Sequence, residues 1–421
     1  MSRQNSVTSL PDDRRSFIEH LDAETTPEGN AFVATFHDLS LRSVFQPIFS
    51  VAHRRAVGYE ALLRASRKDG QAVSPPLVFA TAKSDEEGIH VDRLSRLLHV
   101  KNYQRFGVTD NWLFLNVNAL SISSRQTQEP FVGRLLQYFG LEGHQIAIEI
   151  LEGAIRNQSS LLDAVNYYRG HGCLVAIDAG HSNFDRIWHL SPDFVKLDRS
   201  LIQQSTLNRR VRKMLPHLVS LLHEIGALVV MEGIETEEEG LIALDSDVDL
   251  VQGFLFGRPD PHIPAVSAQG IAALCTRFRT TVPGVVLNAT ASYQNAFSGV
   301  IDALVQGVDI ARACERLVAH ARVLRCYLLD GQGNQVGSNY VSSVRCARND
   351  VRFMPLADTA GANWSRRPYF RRALAHPDET QLTRPYFSIP DAGICVTMSC
   401  TYALSGTLFV FCCDMEPEET V

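Results

Sequence analysis

Seven short apolar runs in this chain carry, at or near their C-terminal ends, a residue able to ligate a cation or handle a proton. They deliver Glu60 (in Tyr59-Glu-Ala-Leu62), Asn116 (Leu113-Phe-Leu-Asn116), Glu149 (Ile146-Ala-Ile-Glu149), Asp178 (Leu174-Val-Ala-Ile-Asp178), Lys196 (in Phe194-Val-Lys-Leu-Asp198), Glu232 (Leu228-Val-Val-Met-Glu232) and Gln252 (Leu250-Val-Gln252). Such a run is how a buried parallel strand reads when it brings a functional side chain to one end. Hard oxygen donors gathered at one rim suit a divalent metal such as Mg²⁺, Mn²⁺ or Ca²⁺. Taken singly, each residue has an ordinary reading: an Asp at a strand end caps a helix, and a buried Lys completes a salt bridge. Taken together on successive strand ends, they read as a site.

The elements that must position these groups alternate. Strands begin near Val44–Ser50 and Ala56–Arg64, and between the later ones lie segments of helical periodicity at Val91–Phe106, Leu161–His171 and Arg210–Ile225. Gly172 and Gly226 follow two of these at helix C-cap positions. Strand–helix alternation with right-handed crossovers predicts an α/β, TIM-like (β/α)8 barrel with its helices outside a parallel sheet. Phe254–Pro259 closes the series. Residues 1–38 are expected to be a flexible N-terminal segment, with a short helix in Asp12–Leu21 that has little apolar surface to bury. The barrel is assigned to 39–263 and a helical connector to 264–322, with candidate helices at Ala265–Arg277 and Val308–Ala321. The rhythm then changes, and strand-like runs at 325–336, Pro385–Ile389, Ile394–Thr401 and Gly406–Asp414 predict an antiparallel α+β domain over 323–421.

The 421 residues carry a formal net charge of −6, so no global basic field points to nucleic acid or an anionic membrane. No run is long enough to span a bilayer, and Met1–Asn30 is too polar for a secretory signal, which predicts a cytoplasmic protein. The nine cysteines lack paired zinc-type spacing and read as reduced, buried residues.

Tyr59-Glu60-Ala61-Leu62-Leu63-Arg64 resembles the signature of the EAL family, the cyclic-di-GMP-specific phosphodiesterases. Phe45-Gln-Pro-Ile48, Leu115-Asn-Val-Asn118, Ile148-Glu-Ile-Leu-Glu152, Val195-Lys-Leu-Asp-Arg199, Glu232-Gly-Ile-Glu-Thr236 and Val251–Pro259 match further family motifs in order, over roughly residues 40–262. The resemblance implies that Glu60, Asn116, Glu149 and Asp178 bind a metal ion and that Lys196 lies beside an attacking water, with Glu232 completing the acidic ring. It implies that Glu152 and Glu235 hold a rim loop, that Gln252 sits near water or metal, and that Gln46, Leu62, Arg64, Asp198 and Arg258 face the nucleotide. Mg²⁺ or Mn²⁺, with Ca²⁺ as a further candidate, is the implied cofactor. In a pair, such ions polarise a phosphodiester and generate hydroxide.

One segment departs from the family. Where the family reads Asp-Asp-Phe-Gly-(Thr/Ala)-Gly-Tyr-Ser-Ser-Leu, this chain reads Asp178-Ala-Gly-His-Ser-Asn-Phe184. The second Asp is missing, in a gap of about three residues on a loop usually only a few residues long. Leu151 replaces a Thr of the Glu-x-Thr-Glu block, and the nearest substitute ligands are His181 and Asp185. One bound ion is therefore expected rather than two. The first reading is a cyclic-di-GMP receptor or effector with weak or lost phosphodiesterase activity. The second is an active phosphodiesterase producing pGpG, and the third is a protein-interaction scaffold that binds no nucleotide.

The C-terminal tract Trp364-Ser-Arg-Arg-Pro-Tyr-Phe-Arg-Arg-Ala373, with Tyr386 and Leu408–Asp414, resembles a PAS/Cache-like sensor of the type that follows some EAL domains. That resemblance implies a small ligand near Trp364, Arg366, Tyr369, Tyr386 and Asp414, a homodimer through the connector, and a protein effector. The alternative is that the aromatics only fill a small core.

Overall fold

A computed structural model gives the fold; residues 13–107, 110–123, 131–151, 158–179, 184–263, 269–281, 293–341, 356, 358–383, 385–388 and 393–417 are described. A hairpin, β1 (Thr25–Glu28) and β2 (Ala31–Phe36), leads into β3 (Leu39–Ser50), which pairs with β4 (Arg55–Arg67). The two-residue β5 (Ala72–Val73) adds to the far end of β4. From β4 the sheet continues through β6 (Trp112–Val117), β7 (Ile146–Leu151), β8 (Leu174–Asp178), β9 (Phe194–Leu197), β10 (Leu228–Met231) and β11 (Leu250–Val251), and β11 returns to β3 to close an eight-stranded barrel. Helices such as Asp85–Arg105, Gln158–Gly170, Arg209–Glu224 and Glu237–Asp245 lie between the strands and bury their apolar faces against the outside of the barrel.

The barrel is parallel except at one strand. β3 runs antiparallel to both neighbours, with Gln46 opposite Glu60 on β4 and Phe49 opposite Val251 on β11. Residues 51–54 alone join β3 to β4, whereas a parallel crossover needs a dozen residues or more. The lower interior is packed by inward-facing Ile48, Val57, Trp112, Phe114, Ala176, Phe194, Val230 and Leu250, so the barrel is a filled core with its polar groups above.

The N-terminal expectation is corrected. Helix Asp13–Ala23 buries Ile18 and Leu21 in the barrel's outer core, and β1 and β2 extend the sheet from β3. The apolar surface that seemed too small for a helix is enough because the helix docks on an existing core.

The C-terminal sheet is antiparallel, in the order β13 (Gln335–Tyr340), β12 (Val323–Asp330), β17 (Thr407–Met415), β16 (Gly393–Leu404) and β14 (Gln381–Leu382), with β15 (Tyr386–Ser388) also on β16. Helices Gln294–Val305 and Ile310–Val318 pack on one face, and helix Pro368–Ala375 with Trp364 on the other. This sheet is applied to the N-terminal end of the barrel: Phe387 and Leu356 join the barrel's interior core, and the amide of Asn363 donates to the carbonyl of Ala52. The eight cysteines among the described residues are all buried. Among those residues, no helix is long and apolar enough to cross a membrane.

Candidate functional site

The C-terminal ends of the barrel strands surround a cavity of about 640 Å³ lined by Gln46, Glu60, Leu62, Asn116, Glu149, Asp178, Glu232, Glu235 and Gln252 among others. At its floor Lys196, fully buried, places Nζ 2.6 Å from Glu149 Oε2, 2.6 Å from Glu232 Oε1 and 3.0 Å from Glu60 Oε2. One carboxylate oxygen from each glutamate lies within 4.8 Å of the others. Asn116 Nδ2 donates to Glu60 Oε1 at 3.0 Å and Gln252 Nε2 to Glu60 Oε2 at 2.9 Å. Parallel register produces this convergence, because it pairs Asn116 with Glu149 and Asp178 with Lys196 on adjacent strands.

Three carboxylates share one ammonium, and their ionisation differs accordingly. Burial opposes the charge on Glu60, yet Lys196, Asn116 and Gln252 hold its carboxyl below the usual range. Burial and the negative charges of Glu60 and Glu232 push Glu149 well above its ordinary value. Burial, with Glu60 and Asp178 nearby, raises Glu232 to about 7 despite Lys196. Burial would favour a neutral amine at Lys196, but the three glutamates together keep it protonated. Among the described residues, the buried Oε1 of Gln252 has no hydrogen-bond partner. Excess negative charge, hard donors and an unsatisfied amide oxygen fit a divalent cation, and Glu60, Glu149 and Glu232 bring carboxylate oxygens close enough together to share one.

The remaining expected residues divide. Gln46 and Leu62 line the cavity, and Gln46 Nε2 donates to the carbonyl of Gly257 at 3.2 Å. Glu235 lines it while paired with Arg199 at 2.9 Å. Arg64 is exposed at the rim, outside the lining, and donates to the carbonyl of Leu63. Asp198 caps helix Arg199–Leu207 through the Ser200 amide, and Arg258 stacks over Phe254 at 4.3 Å. Neither Asp198 nor Arg258 lines the cavity, although Phe254 does. Glu152 and His181 lie outside the described residues, as do the side chains of Leu151 and Asp185.

Sequence reasoning missed several lining groups. Arg199 stands in a quoted motif but received no role. Asp92 and Arg96, four apart on helix Asp85–Arg105, form a buried 2.6 Å ion pair beside the cavity. Their i,i+4 spacing was readable, but opposite charges at that spacing usually mark a solvated helix face. Gly253 permits the rim to close, because a Cβ there would stand 2.0 Å from the carbonyl oxygen of Ile234.

The expected sensor residues also divide. Trp364, Tyr369, Tyr386 and Asp414 line a cavity of only about 20 Å³ with Arg325, Tyr327 and Arg367, room for about one water. The Arg325–Asp414 ion pair, at 2.5 Å, lies across it. Arg366 is corrected: it points to the barrel and pairs with Asp247 at 2.8 Å, while the adjacent Arg367 lines the cavity. A one-residue shift reverses such an assignment, and sequence pattern alone does not resolve it.

Comparison with known proteins agrees with this geometry. The family model for the EAL domain matches residues 30–259. Bacillus subtilis YkuI, an EAL-domain-containing protein, is 26% identical over 345 residues, 77% of this chain and 82% of YkuI. The solved structure of YkuI, in complex with substrate c-di-GMP and calcium, superposes at a TM-score of 0.51 and 22% identity, covering 90% of this chain and 96% of that one. Pseudomonas aeruginosa RocR, a cyclic di-GMP phosphodiesterase, is 31% identical over 154 residues, 36% of this chain. That match spans only 39% of RocR, and several other curated relatives are matched over about a third of their length or less. The fold likeness to YkuI extends through the C-terminal sheet, and the matched model spans the strands that carry the carboxylate ring: the chain belongs to the EAL domain family.

Proposed function

We propose that this protein binds cyclic-di-GMP across the C-terminal rim of its barrel and acts as a receptor or effector with weak or lost phosphodiesterase activity. The observation that carries this reading is the cavity of about 640 Å³ with the Glu60–Glu149–Glu232–Lys196 cluster at its floor, a volume suited to a small-molecule ligand. Gln46 and Leu62 on its wall meet the nucleotide, and Arg64 swings from the Leu63 carbonyl to a phosphate. Glu60, Asn116, Glu149 and Asp178 would hold one divalent ion, which when bound polarises a phosphodiester oxygen and acidifies water. Lys196 orients a water and steadies developing negative charge, and Gln252 Oε1 supplies an acceptor beside Glu60. The residue after Asp178 is Ala179, so the loop offers no adjacent carboxylate for a second ion, and half of a two-ion clamp is missing. Support also comes from YkuI, whose complex contains c-di-GMP and calcium.

The intact ring and the likeness to RocR favour a second reading, hydrolysis to pGpG. Retention of the ring tells against a scaffold that binds no nucleotide. Calorimetry with cyclic-di-GMP in Mg²⁺, Mn²⁺ or Ca²⁺, with chromatographic separation of linear product, decides among them. Binding with little turnover is expected. Robust hydrolysis would replace the receptor reading with the enzymatic one, and absence of binding would overturn both.

A further inference from the structure

Asp249 and Gln252 stand at opposite ends of the short strand β11, about 10 Å apart at strand rise. At the rim, Gln252 donates to Glu60. At the floor, Asp249 Oδ2 accepts from the Val229 amide at 2.9 Å and from His223 Nε2 at 2.7 Å. Its other oxygen, Oδ1, accepts from Arg367 Nη2 at 2.9 Å, while Arg367 Nη1 reaches Asp247 Oδ2 at 3.1 Å. Arg367 comes from the C-terminal domain, as the N-cap of helix Pro368–Ala375. Its side chain is 2% exposed, and its guanidinium lies 5.5 Å from the Tyr386 ring in the wall of the small C-terminal cavity. One side chain therefore touches both the interior of the C-terminal sheet and the root of the strand that carries Gln252.

The neighbouring strand supplies an internal comparison. Asp193 precedes Lys196 by three residues, as Asp249 precedes Gln252, and its carboxylate likewise accepts a strand amide, that of Val175, at 2.9 Å. Both aspartates pin strand register at the floor, and Asp249 is the one tied to Arg367. β11 has only two residues in its ladder, so its placement depends heavily on what holds its ends. Above it, the Gln252 amide donates to the Met231 carbonyl at 2.9 Å and its carbonyl accepts from the Ile234 amide at 3.1 Å.

We propose that Arg367 is a positioning residue that acts through Asp249 to fix β11, and with it the side chain of Gln252 against Glu60, so that the C-terminal sheet controls the rim site. The effect on nucleotide rests on the proposed cyclic-di-GMP site; the effect on β11 does not. A contiguous path is only the material for coupling, which must be measured as such.

Hydrogen–deuterium exchange on the full chain, without nucleotide, tests it. In Arg367→Met, exchange across residues 250–256 should rise about fivefold or more, while β6 and β9 stay within about twofold of the unaltered protein. Arg366→Met removes the same charge from the adjacent position but leaves Asp249 paired, and should leave residues 250–256 within about twofold. Arg367→Lys keeps the charge and one ionic contact, should give a smaller rise, and serves in place of Arg367→Met if that variant does not fold. Cyclic-di-GMP affinity should fall about tenfold in Arg367→Met. Unchanged exchange at 250–256, equal effects of the two arginines, or a uniform rise across the barrel would overturn the proposal. If the unaltered protein binds no cyclic-di-GMP, the site reading fails while the exchange comparison still decides this one.

Discussion

At the floor of the barrel Asp245, Asp247 and Asp249 face Arg366, Arg367 and Arg371, with His223 completing the set. At the rim, Glu60, Glu149 and Glu232 all pair with the one ammonium of Lys196. Both clusters are largely buried, and both are joined by short ionic contacts. At the floor, burial opposes the charge on Asp249, but His223 and the arginines outweigh it and hold the carboxyl far below its ordinary range. At the rim, one ammonium cannot offset three carboxylates, and two of them are pushed upward. A balanced buried cluster fastens one part of the fold to another. An unbalanced one is short of positive charge, and that deficit marks the place where a cation belongs.

The largest expected effect separates the two clusters by sign. Asp249→Asn removes a charge that Arg367 pairs with and His223 hydrogen-bonds, and should cost about 3–5 kcal/mol, read as a lower midpoint in chemical denaturation. Glu149→Gln removes a charge from an overcrowded ring and should leave the metal-free protein as stable or slightly more so. The same substitution should abolish stabilisation by divalent ions, which in the unaltered protein amounts to about 2.7 kcal/mol at a hundredfold excess over Kd. A destabilising Glu149→Gln without metal would break the comparison.

Acidity sharpens it. Glu232 keeps its proton to about 7 in the folded chain, against an unfolded value near 4.3. Between those limits the folded state binds more protons, so metal-free stability falls as pH rises through the window. His53, near the floor, has the opposite sign. Burial, with Arg55 adding to it, lowers its pKa to about 4, so the unfolded state binds more protons between about 4 and 6.5, and stability falls as pH drops. Each contributes a slope of up to about 1.4 kcal/mol per pH unit. Glu232→Gln should flatten the neutral limb of the stability profile and His53→Gln the acid limb, both followed by thermal melting at low salt.

The barrel and its ring were legible because buried strands announce themselves in apolar runs, and because the residue closing each run has to face the rim. Glu60, Asn116, Glu149, Lys196, Glu232 and Gln252 meet where that logic puts them. The antiparallel first strand was readable in principle from the few residues between Ser50 and Arg55, but alternation dominated the reading. The N-terminal helix was foreseen but its docking was not, because a polar segment with Ile18 and Leu21 on one side is stable only against a partner. Arg367 was missed for the same kind of reason: its role depends on Asp247 and Asp249, more than a hundred residues away in the chain. Local pattern shows which groups a strand carries, and much less of what lies across an interface.

Arg64 brings the comparison to the ligand. It is exposed, and among the described residues its one hydrogen bond goes to the Leu63 carbonyl, so its loss should leave stability almost unchanged. If it takes a phosphate in the complex, Arg64→Ala should weaken cyclic-di-GMP binding by about 1.5–3 kcal/mol, as for a charge-assisted contact. Calorimetry showing equal affinity would remove Arg64 from the site.

The smallest effect concerns the pair just above the ring. Arg199 Nη1 and Glu235 Oε1 are 2.9 Å apart, with side chains 49% and 35% exposed. An exposed pair gains little from Coulomb attraction in water and loses side-chain freedom, so Glu235→Gln should cost about 0.2–1 kcal/mol of stability. Geometry nevertheless ties this pair to the loop that follows Glu232. Gly233 has φ of +66°, and a Cβ there would stand 2.4 Å from the Cβ of Arg199. Gly233→Ala should therefore disturb the loop more than Glu235→Gln does, through both backbone strain and this close approach. Measuring divalent-ion affinity in both variants separates two roles for Glu235. If it only decorates the rim, Glu235→Gln should leave ion affinity unchanged. If it steadies the loop that presents Glu232, ion affinity should fall in both variants, with Gly233→Ala falling further, although the stability cost of Glu235→Gln stays near the lower end of its range.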